Sequence, residues 1–256
     1  MSNFSYSYST ITDFLKCQKY FELRNILKVA PENPDLLALR FGSALHLGIQ
    51  DLFEGGDGVG VFSIFWKNET YHTFPKLSWN DHQALGEIFL SKFERLHKKN
   101  FEPVMFEERL TITLGNLPQV TVAGTPDWIG MYKGVPSIVD WKTAAWPYDQ
   151  LKLTVSDQLH LYAHMVKEKG IMDAKQIAYV AFIKNVRDPR IQIITKEITQ
   201  EGIDSAVSNL YNICKEIENK KEFTRNHNNC LAYNRPCDYF ERCHGAGLEN
   251  GKKVKD

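Results

Sequence analysis

The spacing of apolar positions changes its period several times and divides the chain into helical and extended stretches. Apolar residues recur at helical spacing in five segments, which predicts helices over residues 7–27, 36–52, 80–100, 156–169 and 200–221. Five other segments alternate or form short apolar runs, which predicts strands over residues 104–114, 120–132, 135–143, 175–184 and 190–198. The remainder, from residue 222 onwards, is short, polar and cysteine-bearing.

This order of elements predicts the fold class and the domain organisation. Helices, three antiparallel strands, a helix, two further strands and a last helix indicate an α/β (α+β mixed) fold with a central mixed sheet flanked by helices. We expect a single domain over residues 1–256. It would comprise a helical N-terminal region (1–100), a core (101–200), and a C-terminal helix with a cysteine-bearing tail (201–256).

Composition and charge narrow the classes of function. The chain has 256 residues, 43% of them hydrophobic, and a formal net charge of zero. It is therefore not a globally basic nucleic-acid binder, and a role of that kind needs a local patch. The polar start does not resemble a signal peptide, and no apolar run approaches the ~18 residues of a membrane span. We therefore expect a cytoplasmic protein with no membrane partner.

The segment GTPDWIGMYKGVPSIVDWK, residues 124–142, places three charges inside a predicted hairpin. Asp140 and Lys142 are two residues apart and therefore point to the same side of a strand, with Trp141 on the other side. The hairpin brings Asp127 beside Asp140. Two close carboxylates repel each other unless a cation lies between them, and oxygen ligands suit Mg²⁺ or Mn²⁺. The alternative, a pair of exposed edge charges, conflicts with the apolar neighbours of both aspartates.

Glu108 is a second candidate because it shares the parity of the apolar positions in the strand predicted over 104–114. A charge on an apolar face is costly unless it is paired or lies near a metal. A buried salt bridge or a wet end of the sheet is the alternative, and the sequence leaves both readings open.

Three further candidates lie on predicted helices. His46 follows the small residues of GSALH, although a lone histidine there is more often a core or surface residue than a ligand. Gln158 and Tyr162 are four residues apart and share one helix face. His160 and His164 have the same spacing on a different face, and we expect both at the surface.

Four of these segments, in this order, resemble the PD-(D/E)XK nuclease superfamily. They are GSALH (42–46), GTPD (124–127), IVDWKT (138–143) and QLHLY (158–162). The similarity is to the RecB-type exonuclease branch, which includes the AddB nuclease domain and the CRISPR-associated adaptation exonucleases. The N-terminal pattern SYSTITDFLKCQKYF (7–21) is also similar, so the resemblance spans essentially the whole chain.

The resemblance implies a restriction-endonuclease-like core and assigns roles to individual residues. His46, Asp127, Asp140 and the Trp141 carbonyl would bind a divalent metal. Lys142 would orient or activate the attacking water and stabilise charge on the phosphate. Gln158 and Tyr162 would hold the DNA or the frame of the site. Trp141 departs from the tyrosine that the family often carries there.

The five cysteines suggest a second metal centre, because in the cytosol metal, cluster or buried-thiol roles are favoured over disulfides. Cys17 lies near the N-terminus, and Cys230, Cys237 and Cys243 lie in the tail. The resemblance implies that these four hold a 4Fe–4S cluster. Six residues separate Cys230 from Cys237, where many members have two between the corresponding cysteines, and a zinc site is the alternative. Cys214, on a predicted helix, is expected to be a core thiol.

The basic tail is a candidate DNA contact through Arg235, Arg242 and Tyr239, with an ordinary solvated surface as the alternative. The function expected from all these features is a metal-dependent DNA nuclease, an exonuclease acting on single-stranded or frayed duplex ends in repair or recombination. The alternatives are a non-catalytic DNA-binding scaffold and a metal-cluster module within a recombination, repair or CRISPR complex. Unwinding would need a helicase partner, and the oligomeric state stays open.

Overall fold

The computed structural model of the protein describes residues 5–32, 36–67, 78–114, 120–232 and 235–245. Its helices are α1 (Tyr8–Lys16), α2 (Gln18–Phe21), α3 (Leu36–Glu54), α4 (Gly58–Lys67), α5 (Trp79–Leu96), α6 (Leu151–Thr154), α7 (Asp157–Glu168), α8 (Gln200–Asn219) and α9 (Phe240–His244). Its strands are β1 (Ser5–Ser7), β2 (Phe101–Phe106), β3 (Leu110–Thr113), β4 (Thr121–Gly124), β5 (Trp128–Tyr132), β6 (Val135–Ala144), β7 (Gln176–Ile183) and β8 (Arg190–Glu197).

The strands form two mixed sheets. The larger has the order β2-β5-β6-β7-β8, in which only β6 and β7 run parallel, and the smaller has the order β1-β4-β3. The parallel pair requires a crossover, which α6 and α7 provide. The predicted α/β class, with a mixed sheet flanked by helices, is therefore confirmed.

Polar side chains fix where the long helices begin. Ser78 and Asp81 form a reciprocal capping box at the start of α5. Ser156 accepts a hydrogen bond from the Leu159 backbone at the start of α7, and Thr199 caps α8 through the Gly202 backbone. These caps place the three helices close to their predicted starts. Within the described residues, no helix has the length and hydrophobicity that a membrane span requires.

Two predicted strands are wrong because each is divided between the two sheets. The stretch predicted as one strand over 104–114 ends β2 at Phe106, turns at Glu107, and restarts as β3 in the smaller sheet. The stretch predicted over 120–132 likewise becomes β4 in one sheet and β5 in the other. Alternation of apolar residues continues across both breaks because each half buries one face, so periodicity alone does not reveal the change of sheet.

One predicted helix needs correction and one helix was not predicted. The helix predicted over 7–27 is interrupted at Cys17, whose backbone is extended with φ −166° and ψ 120°. The helix α4, which begins at Gly58, is not among the predicted elements. There Gly48 and Gly58 let α3 and α4 approach closely, since a Cβ built on Gly58 would lie 2.2 Å from the Gly48 carbonyl oxygen. Gly42, by contrast, has nothing within 4 Å of such a Cβ.

Alternation along β6 separates two cores on the faces of the larger sheet. Val139 and Trp141 face an aromatic core that includes Phe41, Trp66 and Phe93 of α3, α4 and α5. Ile138 faces the second core, which α7, α8, α1 and the smaller sheet share. Asp140 and Lys142 have the parity of Ile138, so the sheet directs them towards α7.

Candidate active site

β6 carries an ion pair between a buried aspartate and a half-buried lysine. Lys142 Nζ lies 2.6 Å from Asp140 Oδ2, and the Asp140 side chain is only 2% exposed. Burial alone lowers the pKa of Lys142, but the Asp140 and Asp127 carboxylates raise it, and the balance lies above its ordinary value. As the sequence predicts, both side chains stand on one side of the strand while the Trp141 ring enters the aromatic core.

Asp127 lies just before β5, in the turn that leaves the smaller sheet. The β5–β6 register pairs Trp128 with Val139, which places Asp127 next to Asp140. One carboxylate oxygen of Asp127 accepts a hydrogen bond from the Trp141 backbone nitrogen at 2.8 Å. Burial, and then the charge of Asp140, raise the pKa of Asp127 to about 7. The two neighbouring carboxylates therefore repel each other, and a cation bound between them would relieve that repulsion.

His46 reaches this pair from α3. Its Nε2 lies 3.1 Å from the Trp141 carbonyl oxygen and 3.9 Å from Asp127 Oδ2, and its Nδ1 lies 3.1 Å from Glu107 Oε1. Both ring nitrogens thus face acceptors. Burial lowers the pKa of His46, while the hydrogen bond to Glu107 and the charge of Asp127 raise it to a net value above the ordinary one.

These contacts assemble one group of donor atoms. Ligand atoms of His46, Glu107 and Asp127 all lie within 4.8 Å of one another, and no other such group of His, Cys, Asp or Glu occurs among the described residues. The Trp141 carbonyl oxygen joins the group through its contact with His46. The set contains one imidazole nitrogen and several oxygens, which is chemistry that a divalent cation accepts.

Glu107, rather than Glu108, belongs to this group. The prediction that Glu108 lies on an apolar strand face is wrong, because β2 ends at Phe106 and Glu108 is exposed in the turn that follows. Glu107 has φ 41°, a left-handed conformation that is uncommon outside glycine, and this conformation directs its carboxylate to His46. The sequence indicated a glutamate at this position only through the adjacent pair Glu107 and Glu108, and strand parity selected Glu108 instead of Glu107.

Gln158 and Tyr162 share a face of α7, as their spacing predicts. Gln158 Nε2 donates to the Tyr162 hydroxyl at 3.0 Å. Tyr162 packs on Gly124, where a Cβ would lie 2.6 Å from its ring. Burial raises the pKa of Tyr162 and the Asp140 and Asp127 charges raise it further, as expected for a ring beside these carboxylates.

His160 is not a surface residue, and that prediction is wrong. Its side chain is buried, with Nδ1 2.8 Å from the Ser156 carbonyl oxygen, and it fills the space left by Gly202 of α8. His164 is half-buried. The hydrophobic pattern missed His160 because a helix that packs against both a sheet and another helix buries more than one stripe.

The structure brings the four predicted cysteines together. Cys17, Cys230, Cys237 and Cys243 line one pocket, and all four are free thiols of intermediate exposure. The Cys237 backbone nitrogen donates to the Cys230 carbonyl oxygen at 2.9 Å, and the Asn226 backbone nitrogen donates to Cys17 Sγ at 3.3 Å. Cys214 lies apart from them, fully buried in the core, as its position on α8 predicts.

Of the three tail residues predicted to contact DNA, the two arginines are exposed and the tyrosine is buried. Tyr239 is 1% exposed, packs edge-on against Tyr20 and donates its hydroxyl proton to the Val29 carbonyl oxygen, so the prediction that it stacks on bases is wrong. The ring is buried because it covers the cysteine pocket. Arg242 pairs with Glu32 at 3.6 Å, and Arg235 is exposed.

The chain is similar to known nucleases in sequence pattern and to an exonuclease-like structure in shape. Residues 5–244 match the family model of the PD-(D/E)XK nuclease superfamily. A solved structure, the "Putative exonuclease" from Eubacterium rectale, is similar with a TM-score of 0.62 and 18% identity, over 99% of this chain and 91% of that one.

A second solved structure, SSO0001, is less similar, with a TM-score of 0.48 and 12% identity over 93% of this chain and 85% of that one. No curated protein matches the sequence. At 18% identity, the likeness to the Eubacterium rectale protein shows a shared fold and nothing more specific.

Proposed function

Since the chain belongs to the PD-(D/E)XK nuclease superfamily and has its restriction-endonuclease-like fold, we propose that it is a divalent-metal-dependent deoxyribonuclease. In this proposal it is an exonuclease that hydrolyses phosphodiester bonds at single-stranded or frayed DNA ends. The observation that carries the proposal is the donor group of His46, Glu107 and Asp127 beside the ion pair of Asp140 and Lys142. The Eubacterium rectale protein of similar fold is itself described as a "Putative exonuclease", which agrees with the proposed activity.

The donor set fits Mg²⁺ or Mn²⁺. Asp127 and Glu107 offer carboxylate oxygens, the Trp141 carbonyl offers another oxygen, and His46 offers a nitrogen. Asp140, predicted as a ligand, lies outside this group of three but is the register neighbour of Asp127. When bound, such a cation lowers the pKa of a water and neutralises charge that develops on the phosphate. Burial and then the repulsion from Asp140 raise the pKa of Asp127, which supports a site that favours a bound cation.

The remaining residues have roles that follow from their contacts. The Lys142 ammonium, held by Asp140, orients the attacking water and donates to phosphate oxygens. The Asp127 carboxylate accepts from the backbone nitrogen of Trp141, the same residue whose carbonyl oxygen faces His46, and so holds the backbone beside the metal site. Gln158 and Tyr162 support the wall of the site that α7 forms, and Arg235 and Arg242 contribute phosphate contacts outside it.

We also propose that the four-cysteine pocket holds a 4Fe–4S cluster, as the resemblance to the RecB-type branch implies. The observation that supports a metal centre is that four free thiols, one from the N-terminal region and three from the tail, line one pocket. Tetrahedral zinc is the alternative, and metal analysis distinguishes the two. The centre would join Cys17 to the tail and so make residues 1–256 one domain.

The nuclease proposal is tested with anaerobically purified protein and DNA labelled at the 5′ or the 3′ end. Single-stranded, frayed and blunt substrates are incubated with Mn²⁺, Mg²⁺ or EDTA. We expect metal-dependent shortening from one end, which Lys142→Ala abolishes and Glu108→Gln, an exposed neighbour of the site, does not. Absence of cleavage in both metals, or cleavage that survives in EDTA and in Lys142→Ala, would refute the assignment. Iron and zinc analysis of the same preparation tests the cluster, with about four irons per chain expected.

A further inference from the structure

The most exposed apolar side chains of the described residues are concentrated in one short segment. Among large hydrophobic residues, Trp146 is 80% exposed, Val155 76% and Leu151 69%, and these are the three highest values. Single exposed apolar residues are ordinary on protein surfaces and need no explanation. Three within ten consecutive residues form a patch, which we call the 146–155 platform.

The platform is anchored to the larger sheet. The Tyr148 backbone nitrogen donates to Gln192 Oε1 at 2.7 Å, and Gln192 Nε2 donates back to the Tyr148 carbonyl oxygen at 2.9 Å. Gln150 Nε2 donates to the Thr195 carbonyl oxygen, and Leu153 is fully buried. Tyr148 is tied to β8 through its backbone and Gln150 through its side chain, both just before α6, and Trp146 is left exposed instead of folding into the core.

The platform also lies next to the candidate active site. Trp146 follows Lys142 by four residues, so its Cα lies at most ~13 Å from that of Lys142 along an extended chain. The β6–β7 register pairs Asp140 with Tyr179, and the Tyr148 ring packs edge-on against the Tyr179 ring with centroids 5.5 Å apart. The platform therefore begins where the strand of Asp140 and Lys142 ends.

Charge in the platform favours a polyanion. Lys152 Nζ lies 3.7 Å from the centre of the Tyr148 ring, which places an ammonium on the same segment as the exposed apolar groups. Asp149 is the one acidic residue between positions 146 and 155, and its carboxylate is occupied by the Leu151 backbone nitrogen. Aromatic rings interleaved with cations are the recurring means of holding single-stranded nucleic acid, because bases stack on the rings and phosphates meet the cations.

We propose that the 146–155 platform binds single-stranded DNA leading to the active site, with an unpaired base stacked on Trp146 and a phosphate on Lys152. This inference rests on the proposed function, and it names the part of the protein that selects single-stranded over duplex ends. In a duplex both faces of a base are covered by its neighbours, so only an unstacked base can place its face on the indole.

Binding is measured first, in EDTA, so that cleavage does not enter. Fluorescently labelled oligo(dT) and a blunt duplex are titrated with wild-type protein, Trp146→Ala, Trp146→Phe and the matched control Ile64→Ala, whose side chain is 65% exposed on α4. Stacking on one aromatic residue is worth ~1–3 kcal/mol by alanine substitution, so we expect Trp146→Ala to weaken oligo(dT) binding ~5- to ~150-fold. Trp146→Phe should retain most of the affinity, and Ile64→Ala and duplex binding should be unchanged.

Intrinsic fluorescence gives a second readout. Of the five tryptophans, Trp66, Trp128 and Trp141 are buried, so the solvent-exposed emission comes mainly from Trp146. We expect oligo(dT) to quench that emission in wild-type protein and not in Trp146→Phe. Wild-type oligo(dT) affinity in Trp146→Ala overturns the inference. So does an equal loss on duplex DNA, or a dimer that Trp146→Ala dissociates while DNA affinity stays constant, since the patch would then be a contact between copies.

Cleavage assays in Mn²⁺ separate this inference from the proposed function. A protein that binds oligo(dT) through Trp146 but never cleaves DNA refutes the nuclease proposal and supports the platform. A protein that cleaves DNA, with Trp146→Ala as active on single strands as wild type and equal to it in affinity, refutes the platform alone.

Discussion

Glu107→Gln, with Glu108→Gln as its matched control, tests which of these two adjacent glutamates belongs to the candidate metal site. Both substitutions remove one negative charge and preserve side-chain volume. In the structure Glu107 contacts His46, while Glu108 is exposed in the turn. We therefore expect Glu107→Gln to impair metal-dependent cleavage and Glu108→Gln to behave as wild type.

The magnitude follows from the contact. Hydrogen bonds to charged groups contribute about 1.5–3 kcal/mol, and the His46 Nδ1 to Glu107 Oε1 separation is 3.1 Å. Because the Glu107 side chain is 41% exposed, solvent screening favours the lower end of that range. About 1.4 kcal/mol corresponds to a factor of about ten. Loss of a group that supports a metal-ligating histidine typically lowers metal affinity or activity about 10- to 100-fold. The lower end of that range agrees with the factor of about ten.

The assay is cleavage of end-labelled single-stranded DNA across a Mn²⁺ titration. We expect the Mn²⁺ concentration for half-maximal rate to rise about tenfold in Glu107→Gln. Calorimetric titration of Mn²⁺ without DNA should show the same loss of affinity, which separates metal binding from DNA binding. Equal half-saturation in Glu107→Gln and wild type, or an equal defect in Glu108→Gln, would show that the reasoning from the His46 contact is wrong.

Four further outcomes are expected. Lys142→Ala should lower the cleavage rate by roughly three or more powers of ten, measured at a temperature where the variant is folded, because the parts of a catalytic unit act together. Gly48→Ala should destabilise by about 1–3 kcal/mol in thermal unfolding, because its Cβ would lie 2.8 Å from a backbone oxygen of α4, whereas Gly42→Ala should not. Cys17→Ser should lose iron and thermal stability. In demetallated protein Cys214 should react last with a thiol reagent, because burial and then the charge of Glu218 raise its pKa to about 12. Full iron content in Cys17→Ser would contradict the cluster prediction. Reaction of Cys214 as fast as that of the other four cysteines would contradict the prediction from its burial.

Much of the fold was predictable because it is governed by local rules. The strands β6, β7 and β8 and the helices α3, α5, α7 and α8 lie close to their predicted bounds. The helices α5, α7 and α8 combine a clear period with a side-chain cap, so local propensity and tertiary packing agree there. The hairpin around residues 133–134 is of the same kind, with Lys133 and Gly134 both at positive φ.

The candidate site was predictable where it depends on one strand and unpredictable where it depends on several elements. Asp140 and Lys142 share a side of β6 because of strand parity. Glu107 was missed because a change of sheet and a left-handed backbone conformation decide its direction, and neither leaves a periodic trace. Tyr239 appeared to be a surface aromatic because the tail is polar, yet it is buried against Tyr20 from the other end of the chain.

The sequence by itself determined the long helices α3, α5, α7 and α8, the strands β6, β7 and β8, the shared side of Asp140 and Lys142 on β6, and the four cysteines that line one pocket. The elements and the shared side follow from period and spacing, and the cysteine set follows from residue type and the resemblance. Only the tertiary structure decided which glutamate meets His46, which histidine is buried on α7, and that Trp146 is held outward beside the site. The physical reason is that side-chain direction at a turn, and burial between distant segments, depend on contacts across the fold, whereas periodicity reports only the neighbours within one helix or strand.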